Sequence, residues 1–221
     1  MIRTIALLTL ALVANFASAA PIVFTGPGDA NVAYSQPLAQ ATTDSVVVGF
    51  NFSYSGTLDN NDFLGFWFGN AANLQTAHQG PNFGVKANCG NGSCTSDVFA
   101  RSTFSGTNNY LADSDLQAGT TYYLFAHLYK SATSNIFNRL DVWLNPSWNE
   151  MMTLTGSDLQ STQSTGLSSV DTIGFRTAFL DAGDVLTVSD LRVGEVPEPG
   201  SIALMGLALA GLAFTRRNKR G

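Results

Sequence analysis

Asp59-Asn60-Asn61-Asp62 sets four oxygen-bearing side chains in a row, and calcium prefers carboxylate and amide oxygens. Four consecutive residues cannot all point at one ion, and no Asp-x-Asp-x-Asp-Gly pattern follows. The run therefore reads first as a turn, a geometry that Asn and Asp favour. Calcium held by Asp59, Asn61 and Asp62 is the functional alternative, and no other cofactor is suggested.

Trp67, Trp143 and Trp148 are the residues a sugar binder would use, because an aromatic face stacks on a pyranose ring. Alternation along Ile136 to Leu144 puts Trp143 with Arg139 and Asp141, opposite Ile136, Leu140, Val142 and Leu144. Trp143 is thus expected to be partly exposed, and Trp148 follows Pro146-Ser147 in an expected loop. These two are the carbohydrate-binding candidates, with a place in the core or rim as the ordinary alternative.

Hydrolytic chemistry finds little support. Glycosidases need two carboxylates across a sugar, and between the terminal signals the only glutamates are Glu150 and Glu195, with no Asp pair singled out by spacing. His78 and His127 are the only histidines. His127 shares a strand face with Tyr123, Phe125 and Tyr129, as a structural histidine would. Gly166-Leu167-Ser168 lacks the second glycine of a nucleophile elbow, and no Ser/His/Asp triad, phosphate loop or zinc cluster is evident. The sequence predicts a non-enzyme with no catalytic residue.

Cys89 and Cys94 flank Gly90-Asn91-Gly92-Ser93. In a chain bound for an oxidising compartment, this predicts a disulfide closing a tight loop, worth about 2 kcal/mol by chain entropy. Two thiols without a nearby histidine are too few ligands for zinc.

The elements that must position these residues are strands. Val46, Val48, Phe50, Phe52 and Tyr54 recur with period two, the mark of a half-buried strand. Further strands are expected at Phe63 to Phe68, Val98 to Phe104, Thr121 to Tyr129, Ile136 to Leu144, Val170 to Phe179 and Val185 to Val193, bounded by turn formers. Phe63 to Phe68 is apolar on both faces, which suits a central strand covered on each side or an apolar face at a site. No window shows the helical period. Seven or more strands without βαβ alternation predict an all-β fold, an antiparallel β-sandwich of jelly-roll type. The segments Leu116 to Leu124, Arg139 to Pro146 and Asp190 to Gly194 resemble strands of concanavalin A-like and laminin-G-like jelly rolls.

Both chain ends carry addresses. Arg3, an apolar run from Ile5 to Val13 and Ala17-Ser18-Ala19 make residues 1–19 a secretory signal helix, its apolar run too short to span a bilayer. At the other end stand Val196, Pro197, Glu198 and Pro199, then an apolar run from Ile202 to Phe214, then Arg216, Arg217, Lys219 and Arg220. This order resembles the PEP-CTERM sorting signal of Gram-negative bacteria. The resemblance implies processing by an exosortase at the inner membrane. Thirteen helical residues rise only about 20 Å, less than the ~30 Å hydrocarbon core, which suits a short transmembrane helix for temporary retention. The four cations after it hold the C-terminus on the cytoplasmic side.

Between the signals, residues 20–195 form one expected exported domain. It holds six cations (Lys86, Arg101, Lys130, Arg139, Arg176, Arg192) against fifteen carboxylates, net -9, where the whole 221-residue chain is at -5. Such a surface excludes nucleic acid as a partner. The expected destination is the cell surface or extracellular matrix after a transient inner-membrane stage. The sorting resemblance implies a structural or adhesive role with exopolysaccharide as partner. A lectin-like, calcium-assisted carbohydrate-binding module is the second reading, and a surface hydrolase ranks behind both.

Overall fold

Val46, Val48, Phe50, Phe52 and Tyr54 all point into one core, as their spacing requires. They lie on β3 (Ser45–Ser55). A computed structural model describes residues 20–59, 61–90, 93–103 and 108–194. The expected signal helix, Asn60, Phe104, Glu195 and the sorting signal with its transmembrane helix lie outside the described residues. Among the described residues no helix is long and apolar enough to cross a membrane.

Two six-stranded antiparallel sheets pack face to face. The first runs β1 (Ile22–Thr25), β12 (Val185–Gly194), β3, β8 (Tyr122–Tyr129), β9 (Arg139–Leu144), β10 (Leu159–Ser161). The second runs β2 (Gly28–Thr42), β11 (Val170–Leu180), β4 (Phe63–Gly69), β5 (Asn82–Gly90), β6 (Ser93–Arg101), β7 (Asn109–Tyr110). Phe50 of the first sheet meets Phe66, Phe83 and Phe175 of the second at ring-centroid distances of 5.8, 5.7 and 5.3 Å. This aromatic cluster joins the layers, each ring burying a large apolar area. The predicted β-sandwich is the fold.

Some elements depart from the sequence expectation. β2 carries no clean alternation because it is an edge strand, mostly half-exposed. β5 carries Gly84 and Gly90 and two asparagines, Asn82 and Asn88, so its pattern is weak locally. β9 begins at Arg139 and not at Ile136. Phe137, before it, is fully buried while its backbone N–H donates to Leu167 and its carbonyl accepts from Thr165. Two short α-helices occur among the described residues, α1 (Leu74–Ala77) and α2 (Trp148–Thr153). The second is set by a capping box: Glu150 N–H donates to Ser147 Oγ, and Ser147 N–H to Glu150 Oε2 at 2.7 Å. That reciprocal pair satisfies two orphan amides. The predicted disulfide between Cys89 and Cys94 closes the β5–β6 hairpin, where the two residues face each other.

Candidate functional site

Strands β11, β4, β5 and β6 are neighbours, and their register fixes which outward side chains share a row. Ala178, Phe63, Lys86 and Asp97 form one row. Arg176, Gly65, Gly84 and Phe99 form the next, and Gly174, Trp67, Asn82 and Arg101 the third. Gly65 and Gly84 leave the middle row without side chains. A Cβ on Gly65 would lie 3.4 Å from the Phe63 ring and 3.5 Å from Phe99, and those two rings stand edge to face at 6.1 Å. Trp67 is fully buried although it points outward, and a Cβ on Gly174 would run into its indole. Its Nε1 has no hydrogen-bond partner.

Each cation of this face stands over a ring. Arg176 lies 4.8 Å from the Phe63 centroid, Lys86 lies 5.6 Å from the same ring, and Arg101 lies 5.9 Å from Phe99. Arg101 Nε donates to Asn82 Oδ1 at 2.8 Å, and Asn82 Nδ2 donates to Gly80 O at 2.9 Å. This ties the sheet to the loop after α1, which carries buried His78.

Crowding of like charge marks the face. Burial, then the neighbouring Arg176, holds Arg101 down to about 10. Burial, then Arg101, lowers Lys86 against a smaller opposing effect of Asp62. Burial lowers Arg176, with Asp29 opposing. His78 falls below its usual value through burial and then Arg176, which keeps the imidazole neutral at pH 7. Tyr110, cross-strand partner of Phe99, is raised by burial. Three of the domain's six cations thus gather on one face of an acidic domain. Such a patch attracts anions, and guanidinium groups match planar carboxylates in two-point contacts.

The residues singled out from sequence are distributed elsewhere. Trp143 lies on the outward face of β9, but it is fully buried and not partly exposed. Its Nε1 donates to Thr155 O at 3.1 Å, and its ring lies 5.3 Å from Phe125. The cause is the segment after α2, which covers it, and strand alternation carries no trace of such a cover. Trp148 starts α2 instead of sitting in a loop, and it is 73% exposed. With Met151, Met152, Tyr123 and Phe125 it borders a groove of about 310 Å³ on the first sheet. His127 is buried on that same face, stacked on Tyr129 at 4.4 Å.

The expected oxygen set also changes. Asp59 and Asp62 converge, but their third partner is Asp181 of the β11–β12 turn, the carboxylate oxygens lying within 4.8 Å of one another. Asn61 takes a left-handed φ of 75° and turns its Oδ1 to accept from Lys86 Nζ at 3.1 Å. Burial holds the Asp62 carboxyl up to about 6, against the opposing hydrogen bond from Asp59 N–H. Val196, Pro197, Glu198, Pro199, Arg216, Arg217, Lys219 and Arg220 lie outside the described residues.

Residues 195–217 match the PEP-CTERM protein-sorting motif. The motif implies export, membrane anchoring during processing by an exosortase, and a surface destination. No curated protein matches the chain in sequence. Among solved structures, a variant of the alginate lyase Aly36B in complex with an alginate tetrasaccharide is 10% identical, with 80% of each chain covered and a TM-score of 0.52. An alginate lyase from Pseudomonas aeruginosa is 14% identical over 69% of this chain and 65% of its own, TM-score 0.46. A variant of human galectin-16 is 14% identical over 73% of this chain and 94% of its own, TM-score 0.42. The likeness to Aly36B is one of fold, the jelly-roll sandwich expected from the strand pattern.

It also corrects the expectation of a non-enzyme. This sandwich is the fold of an alginate lyase, so the fold is compatible with an enzyme. The missing glutamate pair, triad and zinc cluster therefore speak only to glycosidase, serine-hydrolase and zinc mechanisms.

Proposed function

We propose that this exosortase-processed surface protein engages an acidic polysaccharide through Lys86, Arg101 and Arg176. The observation that carries the reading is the gathering of these three cations, each over an aromatic ring and each lowered by burial, on one face of an otherwise acidic domain. Desolvated cations gain when an anion arrives, Arg101 and Lys86 all the more because Arg176 stands beside them. A uronate chain offers a carboxylate on successive sugars and an apolar ring face, which suit the arginines and the Phe63 and Phe99 rings respectively. Association with exopolysaccharide follows from the same contacts. The fold shared with Aly36B, crystallised with an alginate tetrasaccharide, supports the choice of substrate class.

Retention on an alginate affinity gel tests it. The protein should be retarded by alginate and not by a neutral glucan, and Arg101→Gln with Arg176→Gln should remove the retardation. Equal retention of the double variant would refute the reading.

A neutral His78 and the phenol of Tyr110 on this face favour a second reading, cleavage by elimination. A base removes the proton next to the uronate carboxylate, the C4–O bond breaks, C4=C5 forms, and the departing oxygen takes a proton. Incubation with alginate should then yield fragments with an unsaturated end, and chain length that stays constant over prolonged incubation would exclude it.

A further inference from the structure

We propose that Asp59, Asp62 and Asp181 form a calcium site at the end of the sandwich where three connections meet. One carboxylate oxygen from each lies within 4.8 Å of the other two, a spacing that an ion bound at 2.3–2.6 Å accommodates. Asp62 is fully buried, and its Oδ1 has no hydrogen-bond partner, nor has Oδ1 of Asp59. An unpaired buried carboxylate oxygen is costly, and a cation held among the three converging carboxylates would offset that cost. Asp181 is exposed and Asp59 half-exposed, so the site keeps an open side for entry and for the water ligands that calcium takes.

The surroundings hold these oxygens in place without using them. Asp62 Oδ2 accepts from Asp59 N–H at 2.9 Å, and Asp62 N–H donates to Asp59 O at 2.7 Å. Asp184 fastens the two loops, its Oδ1 accepting from Thr57 N–H at 3.1 Å and its Oδ2 from Asp181 N–H at 2.9 Å. Its carbonyl accepts from Gly26 N–H at 3.0 Å, which brings in the β1–β2 connection. The nearby cation, Lys86, donates to Asn61 Oδ1 and O. A calcium ion would tie the β3–β4 loop to the β11–β12 turn.

Calorimetric titration and thermal unfolding of the full chain in detergent, after chelation, test the site. Calcium should bind one per chain and raise Tm by about 5–10 °C at a hundredfold excess over Kd. Asp181→Asn, at an exposed position, should weaken affinity about tenfold or more, and Asp62→Asn should abolish binding. Asp113→Asn, a turn aspartate away from the site, should change nothing. Unaltered Tm and no heat up to millimolar calcium would overturn the proposal. So would an equal response to magnesium, or an Asp113→Asn loss as large as that of Asp181→Asn, which would mean diffuse binding to an acidic surface.

Discussion

Arg176 and Phe63 sit on adjacent strands with the guanidinium 4.8 Å from the ring centroid, and Lys86 approaches the same ring from the strand beyond. One aromatic side chain therefore carries two cations. Phe63→Ala should loosen both, weakening retention on alginate while the charges remain. We expect about a tenfold rise in Kd, the size of one cation–π contact and its packing; affinity measured beside that of Phe99→Ala checks it.

The two glycines of the middle row answer differently to a methyl group. On Gly84 a Cβ would collide with the Leu64 backbone carbonyl, whereas on Gly65 it would meet only ring atoms at ordinary contact distance. Gly84→Ala should cost about 2 kcal/mol or more, in the range of overpacked interiors. Gly65→Ala should stay within about 1 kcal/mol. Urea unfolding of the pair decides, and equal losses would contradict the packing described.

The two candidate tryptophans should separate just as clearly. Trp143→Ala empties a fully buried site and leaves Thr155 O without its donor, so a loss of about 3–5 kcal/mol is expected. Trp148→Ala removes an exposed side chain and should change stability by less than about 0.5 kcal/mol.

His127 supplies a pH dependence. Burial holds it down to about 4, below its usual 6.5. Above pH 6.5 the ring is neutral in both folded and unfolded chains. As pH falls from 6.5 to 4 only the unfolded chain takes up a proton, so stability is lost across that window by about 3 kcal/mol. Asp62, held up to about 6 from 3.8, acts with the opposite slope, its contribution lost as pH rises from 3.8 to 6. The reading is therefore a difference in chelator: His127→Gln should show a shallower acid loss than the parent protein. Tyr129 and Asp141, which face His127 across β8 and β9, are unchanged in both. Parallel stability curves would contradict the assignment.

What the sequence disclosed is what local pattern encodes. The inward face of β3 was legible because Val46 to Tyr54 alternates without interruption, and the Cys89–Cys94 pair because turn formers separate the cysteines. Phe63 to Phe68 showed its double-sided character, and β4 is indeed a central strand with Phe63 and Trp67 turned to the basic face. The basic face itself was not legible. Lys86, Arg101 and Arg176 lie on three strands, and only the order β11-β4-β5-β6 puts them together. Asp181 escaped for the same reason, being distant in sequence from Asp59 and Asp62. The capping box Ser147-Trp148-Asn149-Glu150 was a local signal for α2, hidden because six residues are too few to show a helical period.

Binding through the basic face is best tested by the affinity of the protein for an alginate oligosaccharide, titrated at rising salt. Binding should be saturable, should weaken as salt screens the charges, and should fall about tenfold or more in Arg101→Gln and again in Arg176→Gln, with Trp148→Ala unaffected. Affinity that ignores both arginines, or that disappears with Trp148→Ala alone, would contradict the basic face and move the site to the groove of the other sheet.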